Sequence, residues 1–120
     1  MEPMHELAHE TWSGYFDAAS KELRGAPVSI EIIAASDPPM IEEGRMTLKA
    51  LAYNRRDDVF EIAAGRGRPG LPSVLRHLID HPALVEVDTQ TMLAPMTIAV
   101  EGRDGVRTVI TVEREAKLTG

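Results

Sequence analysis

The chain contains no cysteine. That excludes disulfides, cysteine nucleophiles, thiolate zinc sites and iron–sulfur ligation, and it is compatible with a reducing compartment. Aromatic residues are scarce: one Trp, two Tyr and two Phe. Lysine and arginine number 13 against 19 acids, for a formal net charge of -6. An acidic chain without a basic stripe interleaved with aromatics is disfavoured as a nucleic-acid binder, because phosphates must be met by cations and bases by rings. No long hydrophobic run exists. The longest uncharged stretch, Thr89 to Val100, is too short to span a bilayer, so no membrane association is expected. The first ten residues, MEPMHELAHE, carry three Glu and no Lys or Arg, the opposite of a secretory leader. The expectation is a cytoplasmic protein.

What is present is globular composition: 120 residues, 43% hydrophobic and 27% charged. This length suits a single domain, 1–120, with an ordered core over about 11–113 and flexible tails. Trp12, Tyr15, Phe16, Ala19 and Leu23 recur at three- and four-residue steps, which predicts a helix. Met4, Leu7, Ala8 and Thr11 extend that stripe backwards, and Gly25 followed by Pro27 marks its end. Then the period changes to two. Val28, Ile30 and Ile32 predict one strand, and Arg45–Tyr53 and Val59–Ala64 predict a hairpin around a polar turn at 54–58. Ser36–Gly44 reads as a loop, as does the Gly/Arg-rich 65–72. Ser73 predicts the cap of a short helix through about His81, with Val74, Leu75, Leu78 and Ile79 apolar and Pro82 ending it. Leu84–Val87 reads as a short strand. Met92–Val100 and Val106–Glu113 form a second hairpin around an Asp104–Gly105 step. The fold class expected is α+β. An antiparallel sheet of about six strands, bent or barrel-like, carries one N-terminal helix on its open face and one short helix.

Several of these segments together resemble a known family. The tryptophan helix ending in Gly25, PVSIEII at 27–33, YNRRDDVFEIAAG at 53–65, LRHLIDHP at 75–82 and GRDGVRTVITV at 102–112 are similar, in that order, to the bacterial domain of unknown function 5335 family. The resemblance covers about residues 11–113. It implies a small uncharacterised bacterial protein of this fold, and no activity, cofactor or catalytic residue.

Local charge offers one candidate site. Residues 65–82 hold Arg66, Arg68 and Arg76 against Asp80 alone, in an otherwise acidic chain. A glycine-rich loop entering a helix presents backbone N–H groups to anions, and guanidiniums add paired hydrogen bonds. Gly65–His77 is therefore a candidate small-anion or nucleotide site, with Arg66, Arg68, Ser73, Arg76 and His77 as ligands. The alternative is a loop whose arginines solubilise it or pair with neighbouring acids. GRGRPG lacks the Gly-Lys-Ser/Thr of a phosphate-binding P-loop.

Histidines fall in two i, i+4 pairs, His5/His9 and His77/His81, a spacing that on a helix can chelate zinc or nickel. HELAH differs in spacing and order from the metalloprotease motif, so structural duty is the better reading and no metal is expected. Ser73, His77 and Asp80 on one helix would lie stacked rather than arranged as nucleophile, base and orienter. Asp57 and Asp58 belong to a turn and point apart, and Glu42 and Glu43 read as solvated charges. Met40, Met46, Met92 and Met96 read as core filler. No catalytic residue or cofactor is assigned. The expectation is a non-catalytic binding or protein-interaction module, acting as a homodimer or on a protein partner through a sheet edge.

Overall fold

The computed structural model describes residues 4–33, 40–66, 73–88 and 97–113. The chain runs β1 (His5–Glu6), a 3-10 turn (His9–Thr11), α1 (Trp12–Leu23), β2 (Pro27–Ile33), β3 (Met40–Asn54), β4 (Val59–Arg66), β5 (Ser73–Asp80), β6 (Pro82–Val87), β7 (Thr97–Gly102) and β8 (Arg107–Val112). All eight strands lie in one antiparallel sheet ordered β1-β6-β7-β8-β2-β3-β4-β5. The α+β class, the N-terminal helix and both hairpins are as the sequence predicts. The strand number is larger, eight rather than about six.

The helix begins later than its apolar stripe suggests. Residues 5–6 pair instead with β6, His5 opposite Val87 and Glu6 opposite Glu86. Leu7 N–H then donates to Val85 O, and the Thr11 hydroxyl closes the 3-10 turn on Ala8 O. From Trp12 onward the pattern holds: Trp12, Phe16, Ala19 and Leu23 are all buried. Their rings meet rings from the sheet edge-to-face, the geometry that aromatic quadrupoles favour. Phe16 and Phe60 lie 4.8 Å apart at 88°, and Trp12 and Tyr53 5.0 Å apart at 85°. Ser20 Oγ accepts the N–H of Leu51, tying α1 to β3 beside the register shift between Leu48 and Ala50. Gly25 ends the helix with φ +89°, and its N–H donates to Leu48 O. That backbone suits glycine because a Cβ there crowds the carbonyl.

The segment 73–80 is the main correction. It is a strand, not the short helix expected from Val74, Leu75, Leu78 and Ile79. Every residue from Ser73 to Asp80 pairs with β4, from Arg66↔Ser73 to Val59↔Asp80. A helix of two turns is marginal by itself, and an eight-residue ladder to an adjacent strand outweighs it. Strand alternation sends Leu78 and Ile79 to opposite faces. Ile79 is buried, whereas Leu78 is left 55% exposed. Pro82 opens β6 rather than terminating a helix. Of the loop expected at 36–44, residues 40–44 belong to β3 and the rest fall outside the described residues, as do 67–72, 89–96 and the tail 114–120.

A single residue, His81, joins β5 at one edge of the sheet to β6, next to the other edge. The sheet must therefore curl. Its concave side, covered by α1, holds Val28, Ile30, Leu48, Leu51, Phe60, Ile62, Val85, Ile98, Val100 and Ile110, all at most 2% exposed. Among the described residues no ladder joins β5 to the far side, so the sheet stays open.

Replacing Phe16 by Ala is expected to cost about 3–5 kcal/mol, from lost burial and the cavity left behind. Gly25→Ala meets no atom within 4 Å, so its cost of about 1 kcal/mol comes from backbone strain alone. Urea unfolding measures both, and a Gly25→Ala protein as stable as the parent refutes the left-handed turn.

Candidate functional site

Up-and-down connection gathers the β3–β4 turn, the β5–β6 corner and the β7–β8 turn at one end of the sheet, beside the 3-10 turn. A chain of hydrogen-bonded side chains forms there. Tyr53, the last but one residue of β3, is buried and donates its hydroxyl proton to Asp58 Oδ1 at 2.6 Å. His81 Nδ1 lies 3.0 Å from Asp58 Oδ2. A carboxylate only accepts, so this nitrogen carries hydrogen. Tyr53 has spent its one proton on Asp58, so it accepts from His9 Nε2 at 3.0 Å. The His9 ring also packs edge-on against Trp12, at 4.5 Å. Both Asp58 (φ 56°) and His81 (φ 51°) have left-handed backbone, a strained state for residues bearing a Cβ. Backbone bonds hold them there: His81 N–H donates to Asp58 O, and Arg103 N–H donates to His81 O. One residue thus stitches three turns together.

The electrostatics follow from the bonds. Burial, and then the hydrogen bond and charge of Asp58, push the Tyr53 hydroxyl up to about 12. The bonds from Tyr53 and then His81 hold the Asp58 carboxyl below its ordinary range. The Tyr53 hydroxyl, both Asp58 carboxylate oxygens, His9 Nε2 and His81 Nδ1 are each bonded to another member of the cluster. The arrangement is a clasp, and Asp57 takes no part, since it turns back to Asn54 through its N–H and side chain. The reading of Asp57 and Asp58 as divergent turn residues therefore holds.

A cleft of about 200 Å³ adjoins the clasp, lined by His77, Leu78, Ile79, Asp80, Asp104, Val106 and Thr108. It runs beside the outer edge of β5. His77 and Ile79 point to the core side, and His77 Nε2 reaches the buried Thr108 Oγ1 at 3.4 Å. Arg76, Leu78 and Asp80 point outward and are exposed. Arg76 Nε donates to Glu61 on the neighbouring strand at 2.7 Å.

Of the residues singled out from the sequence, the β4–β5 ladder brings Arg66 and Ser73 opposite one another, at the end remote from His81, and sets Arg76 and His77 on opposite faces. Arg68 lies outside the described residues. Since 73–80 is extended, no helix N-terminus exists there to favour an anion. Ser73 and Asp80 sit at opposite ends of β5, about 23 Å apart at the usual rise per residue, so the triad spacing brings nothing together. The histidine pairs are also separated: His5 is in β1 and His9 in the clasp, while His77 faces Thr108 and His81 faces Asp58. Among the described residues no three His, Asp or Glu side chains are placed to hold a metal ion. Two buried polar atoms, His5 Nε2 and Tyr15 Oη, find no hydrogen-bond partner there. Burial and the charge of Asp88 push the Tyr15 hydroxyl up. Of the expected methionine core, Met46 is buried, Met92 and Met96 lie outside the described residues, and no side chain is described for Met40.

The clasp escaped the sequence because its bonds span up to 44 positions. The exposed Leu78 had a signal: apolar residues at 74, 75, 78 and 79 cannot all face one side of a strand.

Comparison with known proteins gives kinship without chemistry. A family described as "Family of unknown function (DUF5335)" matches residues 3–119. An uncharacterised protein of Aquifex aeolicus (strain VF5) is 30% identical over 107 residues, spanning 89% of each chain. No solved structure matches. Among the described residues no helix is long and apolar enough to cross a membrane.

The pH dependence of the clasp follows from its sign. The folded state keeps Tyr53 neutral up to about 12, while the unfolded chain ionises it at 10.0. Its contribution is present below pH 10.0 and lost as pH rises toward 12. Asp58 works oppositely. Its contribution is complete above 3.8 and lost as pH falls through the lower folded value. Tyr53→Phe is expected to lose about 1 kcal/mol at neutral pH and to flatten the alkaline limb. Asp58→Asn, which tolerates the left-handed backbone, flattens the acid limb. Urea unfolding at stepped pH checks both, and unchanged limbs refute the clasp.

Proposed function

The chain belongs to the DUF5335 family, a family of unknown function, and from that premise we propose that it is a non-catalytic binding module whose working surface is the outer edge of β5. The observation that carries this reading is the edge itself. Eight residues of β5 pair with β4 on one side and, among the described residues, with no strand on the other. Leu78, 55% exposed, stands in its outer half. Unpaired N–H and C=O groups along an edge are a template for another strand. The opposite edge is blunt by comparison, because β1 has only two residues. The cleft beside residues 77–80 leaves room alongside the same edge. The clasp supports the reading too: its carboxylate and rings bond to each other, so they serve to hold the corner from which β5 is presented.

The test is native mass spectrometry of the protein drawn from its own cells, with amide exchange across 76–80. A polypeptide bound in stoichiometric amount, protection of those amides relative to dilute purified protein, and loss of both in Leu78→Lys are expected. A monomer with fast-exchanging β5 amides overturns the proposal. So does a small anion bound between Arg66 and His77 in place of a polypeptide.

A further inference from the structure

We propose that the strand taken up by β5 is β5 of a second copy, paired antiparallel about a two-fold axis at Leu78. The inference rests on the edge reading above and adds the partner and its register. Directly opposed residues in an antiparallel pair share a face. Centring on Leu78 sets Leu78 against Leu78 of the second copy, Arg76 opposite its Asp80, and His77 opposite its Ile79. All three outward residues, Arg76, Leu78 and Asp80, are exposed in the single chain. The exposed leucine is covered by its own symmetry mate. Two ion pairs then flank it, one on each side of the axis.

No neighbouring register does this. Centring on Asp80 or on Arg76 opposes like charges. Centring on His77 sets Arg76 against Leu78 and leaves both charges unmatched. Edge charges normally deter pairing; here their opposite signs, equally spaced about Leu78, permit one register and one partner orientation. The donors are also in place. Arg76 bonds Glu61 through Nε alone, and its two terminal nitrogens make no hydrogen bond within the described chain. A carboxylate can be gripped by that fork. Asp104 lines the same cleft as Asp80.

Sedimentation equilibrium tests the register with two variants and their mixture. Wild type is expected to dimerise in a concentration-dependent way. Asp80→Lys sets Lys against Arg76 twice, and Arg76→Glu sets Glu against Asp80 twice. Each alone is expected to weaken the dimer about tenfold or more. Mixed, the two variants restore one Arg–Asp and one Lys–Glu pair, and a heterodimer returns at close to wild-type strength. The altered residues are exposed, so folding, checked by circular dichroism, is unaffected. A monomeric wild type, or a mixture no tighter than its components, overturns self-pairing. If a different chain is then found protecting 76–80, the edge reading stands and only the identity of the partner falls. If nothing protects 76–80, both fall.

Discussion

Two edge-to-face ring pairs, Phe16 on Phe60 and Trp12 on Tyr53, hold α1 on the concave side of the sheet. The chain has few aromatics: four of the five make the ring contacts between α1, β3 and β4, and Tyr15 packs on Phe16 within α1. Because α1 fills the concavity, the interior is apolar, with Thr108 the buried polar residue among those described. Polar and ionisable groups are consequently left to the surface, on the outer face of α1 as well as at the rim and the edges.

The rim is organised by the short path from β5 to β6. One residue between an edge strand and the far side of the sheet leaves the backbone little choice, and His81 takes up the turn at φ 51°. Such strain persists only where surroundings over-determine it. Here they do. The peptide groups of His81 bond to Asp58 and Arg103, and its ring bonds to the same aspartate that Tyr53 holds from within. The interior and the corner are thereby linked, since Tyr53 is at once a core ring packed on Trp12 and the hydrogen-bond donor to Asp58.

The same corner decides what becomes of β5. It brings the strand close enough to β8 for His77 to meet Thr108, yet a cleft rather than a ladder separates them. Among the described residues no strand pairs with the outer edge of β5. Leu78 is exposed for a related reason: a segment with helix-like apolar spacing has been laid out as a strand, and Leu78 falls on the solvent face. The feature that makes 73–80 read poorly as a strand thus makes it adhesive as an edge.

The sequence by itself determined what depends on near neighbours. The spacing of Trp12, Phe16, Ala19 and Leu23, the glycine at 25, the alternation from Val28 to Ile32 and the Asp104–Gly105 turn each specify local backbone, and the helix, the hairpins and the α+β class follow from them. The kinship with an uncharacterised family was also legible, because its motifs are these same turns and strands. The tertiary structure alone decided the state of 73–80, since a ladder to β4 is a contact between distant residues and outweighs a two-turn helical pattern. It likewise decided which charges meet. His9 and His81 are brought to Tyr53 and Asp58 by the curl of the sheet, and no periodicity encodes bonds between residues 44 and 23 positions apart.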